Sequence, residues 1–189
     1  MNHSGSLPGS LLIAALLATL AAQNALAADE PIQRTGSRIG SDTTSRTVIP
    51  INQTSELARV RKLLAAGEHE AAVTRAEDYL KSLDSANVIG VNPAQHRYDT
   101  LNLLCTALTK SSRLDEAIAR CTEAIDLLPS RWSAVNNRGT VLFAQRNFVA
   151  ALEDYRRARD LVRERDDRML VEHNIVLTQA RLEELRGDR

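Results

Sequence analysis

One pattern of side chains occurs twice in this chain, 34 residues apart and without a gap, between Tyr98 and Glu164. In the first copy Leu101, Leu104, Cys105 and Leu108 fall at i, i+3, i+4 and i+7, the spacing that lines one face of an α-helix. After a turn at 110–113, Ala117, Cys121 and Ala124 form a facing stripe, and Pro129 ends it. Adding 34 to each position gives Val135, Arg138, Gly139 and Leu142, then Ala151, Tyr155 and Ala158. Leu114 and Phe148 hold the equivalent place after the inter-helix turn. Two helices of a hairpin approach closely only where side chains are small, which places Gly139 opposite Ala151. A hairpin of this length cannot bury its apolar face alone, so the period calls for a stack of hairpins.

The positions resemble the tetratricopeptide repeat, whose frame is a large residue, Leu-Gly, Tyr, Ala, Phe and a terminal Pro at fixed offsets. Leu101, Leu104, Cys105, Leu108, Ala117, Cys121, Ala124 and Pro129 fill that frame, with cysteines in place of Gly and the aromatic. The second copy departs at Arg138, where Leu is usual, and at Arg163, where Pro is usual. The resemblance implies an all-α, tetratricopeptide-like array of about three hairpins plus a C-terminal capping helix. Repeats are expected at 55–84, 98–131 and 132–165, with the cap at 167–186. In the first, Ser55 is a candidate N-cap, Leu57, Val60 and Leu64 share a face, and Gly67 breaks the run. Ala72, Ala76, Tyr79 and Leu80 mark its second helix, with Arg61 at the small position and a turn one residue short. A loop is expected at 84–91, followed by an Asn92-Pro93 helix start. Val171, Ile175, Thr178, Leu182 and Leu185 give the cap its inner face.

The repeat domain, 55–189, is preceded by two segments of other character. Residues 1–27 carry no Lys, Arg, Asp or Glu, include an apolar run from Leu11 to Ala22, and end on Ala25-Leu26-Ala27. That is the pattern of a signal peptide cleaved after Ala27, and the run is short for a bilayer span. A retained N-terminal anchor is the alternative. The implied compartment is periplasmic or secreted, with no membrane insertion after cleavage. Residues 28–54 are polar, with scattered Pro, Gly, Ser and Thr, and read as a flexible lead-in or as an extended arm docked on the domain. Lys plus Arg and Asp plus Glu number 24 each, so no net field favours nucleic acid or an anionic membrane as partner.

No catalytic constellation stands out, and the expectation is a non-enzymatic chain without cofactor or metal. There is no Gly-rich phosphate loop and no Gly-x-Ser-x-Gly elbow. His69, His96 and His173 are scattered and read as solvated or boundary residues. Cys105 and Cys121 lie at similar height on the two helices of one hairpin. Either they form a disulfide, closing a loop of about 16 residues, or they are two buried thiols filling small apolar positions. From Glu153 to Arg168 charges alternate at helical spacing, which reads as an exposed ion-paired face. With the departure at Arg163, this points to a longer, charged helix after the cysteine hairpin.

In proteins of the resembled family, the first helix of each hairpin lines a groove that binds peptides. Here that groove would hold Asp99, Asn102, Thr106, Thr109, Lys110, Asn136, Asn137, Thr140 and Phe143. Asparagine amides donate and accept, so they can match an extended backbone regardless of its side chains. Asn174 continues the series if the last repeat is slightly longer. The several Lys or Arg needed to clamp a terminal carboxylate are missing. The expected function is a protein- or peptide-binding scaffold of the cell envelope. A self-associating structural array (a homo-oligomer without a peptide ligand) and a thiol-linked role through Cys105 and Cys121 are the alternatives.

Overall fold

The computed structural model describes Gln33 and residues 51–85 and 92–187. The expected signal segment at 1–27, nearly all of the expected lead-in and most of the expected 84–91 loop lie outside the described residues. Those described form seven helices: α1 (Ile51–Ala65), α2 (His69–Ser85), α3 (Pro93–Lys110), α4 (Leu114–Leu127), α5 (Trp132–Ala144), α6 (Phe148–Leu161) and α7 (Arg165–Gly187). No strand occurs among them. Each helix packs on the next in sequence, giving three antiparallel hairpins closed by α7, and α3 also touches α1 and α5. Helix α1 begins at Ile51, four residues before the expected cap at Ser55, which is inside the helix. Pro50 directly precedes it, and proline is compatible with a helix start. Helix α3 begins as expected, with Pro93 in the first turn and Asn92 Oδ1 accepting from the Gln95 N–H at 3.3 Å.

The three turns within hairpins share one construction. Glu68, Arg113 and Asn147 donate their N–H groups to Leu63, Leu108 and Leu142, each at 2.9 Å. This six-to-one bond is the Schellman closure, which requires a left-handed residue just before its end. Gly67 at φ +76°, Ser112 at +60° and Arg146 at +61° supply it. The first turn is therefore the same length as the others, correcting the expected one-residue shortfall. By this register Val60, not Arg61, is equivalent to Cys105 and Gly139, and Ala76 is equivalent to Cys121 and Tyr155.

Those equivalent positions sit 16 residues apart across each hairpin, and each hairpin fills them differently. The first has Val60 and Ala76, both buried. The second has the disulfide Cys105–Cys121, with Cα atoms 5.4 Å apart. The third sets Gly139 against the buried ring of Tyr155. A Cβ on Gly139 would lie 2.8 Å from Tyr155 Cε1 and 2.9 Å from Cδ1. The ring takes the space that any side chain at 139 would need.

Arg138 follows the same 16-residue offset. Its guanidinium donates to Asp154 through Nε at 2.7 Å and Nη2 at 2.8 Å, and Nη1 reaches Thr122 Oγ1 at 3.3 Å. Asp154 thus turns inward, away from the expected exposed ionic face, while Arg159 pairs with its neighbour Asp160. The longer charged helix is not found. Helix α6 stops at Leu161 without a proline, because Val162 takes extended backbone and buries its side chain. The Arg168 guanidinium then donates to the Val162 carbonyl at 3.0 Å. On α7, Val171, Ile175 and Thr178 are buried as expected, whereas Leu185 is exposed.

Candidate functional site

The first helices of the hairpins carry nearly all of the predicted groove residues, and their amides form one connected line. Asn174 Nδ2 on α7 donates to Asn136 Oδ1 at 2.9 Å. Asn136 Nδ2 donates to Asn137 Oδ1 at 3.4 Å. Asn137 Nδ2 donates to Asn102 Oδ1 on α3 at 2.9 Å and to Thr106 Oγ1 at 3.2 Å. All five side chains are buried. Every amide in the line donates toward the N-terminal hairpin, so the chain of dipoles is aligned and each bond strengthens the next. Asn137 and Asn102 are 35 residues apart, and Tyr98 and Ser133 repeat that offset, with their hydroxyls 2.7 Å apart. One period plus one residue is therefore the register between neighbouring first helices.

The remaining groove residues are placed less uniformly. Thr140, equivalent to Thr106, accepts from the Tyr155 hydroxyl at 3.1 Å across its own hairpin. The first of these two hairpins has Cys121 there and no hydroxyl to offer, so Thr106 instead accepts from Asn137. Burial holds the Tyr155 phenol well above its usual range. The Phe143 ring meets Phe148 edge-on, centroids 5.0 Å apart, and so stays at its own turn. Thr109 donates to the Cys105 carbonyl at 2.7 Å, and Lys110 is the exposed last residue of α3.

At the other end of α3, Asp99 is half-buried and accepts from Gln95 Nε2 at 3.0 Å. Arg131 in turn donates to Gln95 Oε1 at 2.7 Å. Burial raises the Asp99 carboxyl above its ordinary range, against the opposing pull of Gln95, Arg61 and Arg131. His96 is half-buried, its pKa lowered by that burial, with Nδ1 3.5 Å from the Tyr79 hydroxyl.

The line of amides ties α3, α5 and α7 together through buried hydrogen bonds. It presents no nucleophile poised beside a base, and both cysteines are consumed by the disulfide. Reasoning from sequence missed Ser133, the Arg138–Asp154 pair and Thr122. The signal was present: Arg138 and Asp154 are separated by the same 16 residues as the two cysteines.

No family model matches the chain, and no curated protein matches it. Solved structures do. The Sgt2 TPR domain from Aspergillus fumigatus aligns with a TM-score of 0.59 at 14% identity, covering 75% of this chain and 86% of that one. The P58(IPK) TPR domain gives 0.58 at 16% identity, over 70% of this chain but only 34% of its own. The chain thus spans about a third of that structure. The TPR2AB domain of yeast Sti1, solved in complex with pHSP90, gives 0.56 at 19% identity, over 70% and 48%. At these identities the likeness establishes the fold, an all-helical tetratricopeptide-like array.

Proposed function

We propose that this protein is a non-enzymatic scaffold of the cell envelope that binds an extended peptide or protein segment along the first-helix face. The observation that carries the reading is the amide and hydroxyl line from Asn174 through Asn136 and Asn137 to Asn102 and Thr106. In the free protein these carboxamides bond to one another, and a bound peptide backbone would exchange for those bonds. The Sti1 relative, with its bound pHSP90, shows that an array of this shape can take a protein partner. A disulfide in the middle hairpin agrees with an oxidising compartment, as does the signal-like segment at 1–27. The test is a comparative pull-down from an envelope extract with the wild type and the Asn102→Ala, Asn137→Ala variant, folding being checked by circular dichroism. The variant is expected to lose the wild-type partner; retention of every partner would refute the site.

Self-association is the second reading. Met169 and Val176, one heptad apart on α7, are each 63% exposed, an apolar pair on the last helix of the array. Light scattering that shows a monomer at high concentration would remove this reading.

A further inference from the structure

We propose that two copies of this chain pair through α7, antiparallel, each supplying the second helix that the other's last hairpin lacks. The pairing rests on the self-association reading and gives it a surface and a geometry.

The register of the array places α7. Asn174 donates to Asn136 as Asn137 donates to Asn102. Asn136 and Asn102 are equivalent, so α7 is a first helix displaced by 37 residues from α5, from Asn137 to Asn174. The place of Gly139 then falls to Val176. In each complete hairpin that place is matched by a second-helix residue 16 positions on. Cys105 is bonded to Cys121, and Gly139 meets the Tyr155 ring. Val176 has no second helix beside it among the described residues, and it is largely exposed.

The bare side of α7 has a regular pattern. Met169, His173, Val176 and Ala180 are all exposed. They follow at steps of four, three and four, the spacing of a coiled-coil seam. The opposite side buries Val171, Asn174, Ile175 and Thr178 in the array. Helix α7 is therefore packed on one side and presents a second, uncharged stripe on the other, and exposed apolar stripes of this kind mark interaction surfaces.

A helix that completes the hairpin runs antiparallel to α7, as second helices do, and α7 of a second copy meets that condition. A two-fold axis midway between His173 and Val176 sets Met169 against Ala180 of the second copy and His173 against its Val176. A large side chain then meets a small one at each end. Charge agrees with this direction. Arg165 and Glu183 are exposed, and neither has an ion-pair partner among the described residues. They are 18 residues apart, about 27 Å along the helix, and nearly symmetric about the axis. The antiparallel pair brings Arg165 of each copy to Glu183 of the other, where it also offsets the neighbouring Asp166. A parallel pair would set Arg165 on Arg165 and Glu183 on Glu183.

Sedimentation equilibrium of the oxidised full chain at neutral pH tests this. A seam of four layers is small, so a dimer with a dissociation constant on the order of 10 μM is expected. Val176→Glu sets two like charges beside the axis and is expected to weaken the dimer at least about a hundredfold; circular dichroism checks that the fold is kept. Arg165→Glu and Glu183→Arg are each expected to weaken it at least about threefold, and the two together to restore it. If Val176→Glu misfolds, the charge reversals still decide. A dimer indifferent to Val176→Glu, or reversals that fail to weaken or to rescue, would overturn the α7 pairing and leave self-association through another surface standing. A strict monomer up to about 1 mM would overturn both.

Discussion

The Arg138–Asp154 pair offers a sharp perturbation, because its two ends differ in burial. The Asp154 side chain is 8% exposed and that of Arg138 is 23% exposed. Removing one partner of a buried ion pair leaves an uncompensated charge and costs about 3–5 kcal/mol, whereas replacing both with apolar groups is often close to neutral. For Asp154→Ala, water can still reach part of the stranded guanidinium, and a loss of about 2 kcal/mol is expected. Arg138→Leu installs the residue found at Leu104, the same place in the preceding hairpin, but strands the more buried carboxylate. Its expected loss is about 3 kcal/mol. The double variant removes both charges and should lose only about 1–2 kcal/mol, which leaves a coupling energy of about 3 kcal/mol. Urea unfolding followed by circular dichroism at neutral pH gives the midpoints and slopes needed. High salt should change the coupling little, since a buried pair is weakly screened. A double variant whose loss equals the sum of the single losses would refute the reasoning, because the two charges would then be independent.

Further outcomes follow from the same geometry. Cys105→Ala with Cys121→Ala opens a loop of 16 residues, and a loss of about 3 kcal/mol is expected by calorimetry or urea unfolding; either single substitution should cost nearly as much. Ser112→Gly and Arg146→Gly relieve left-handed backbone at two turns, and each should stabilise by about 1 kcal/mol, read as a rise in melting temperature. Gly139→Val drives a branched side chain into the Tyr155 ring, and destabilisation of about 2 kcal/mol or more is expected in urea unfolding. Burial raises the Asp99 carboxyl above 3.8, so the folded state holds that proton more tightly than the unfolded chain. Its contribution is therefore fully present below about 3.8 and lost as pH rises through the folded value. Asp99→Asn should remove that part of the pH dependence and raise stability at neutral pH; an unchanged stability profile would refute the assignment.

The repeat was legible because close packing dictates it. Small side chains recur wherever two backbones approach, and Ala117, Ala124, Ala151 and Ala158 mark those places directly. What a period cannot reveal is which member of a facing pair supplies the volume. Residue size pairs Gly139 with Ala151 but does not show that the Tyr155 ring fills the space beside it. The same limit hid Arg138–Asp154, since a charge exchanged across a hairpin leaves no apolar pattern. The end of α6 carries no proline to mark it in the sequence; a buried valine in extended backbone and a side chain on its carbonyl stop the helix instead. For the candidate site, the asparagines were visible as residues, but their order in a hydrogen-bonded line depends on the 35-residue register between helices, which only the packed array defines.

The bridge between Cys105 and Cys121 also has a mechanical consequence. Stretched between its two ends, the molecule would pay out slack hairpin by hairpin, but the strand between the cysteines cannot lengthen. Sixteen residues separate the two sulfurs' positions, so about 50 Å of contour stays hidden from a pulling force until a reductant cuts the bond. A force–extension trace would show a contour shorter by that amount in the oxidised protein, and the middle hairpin would remain a knot of fixed length within an otherwise extensible chain.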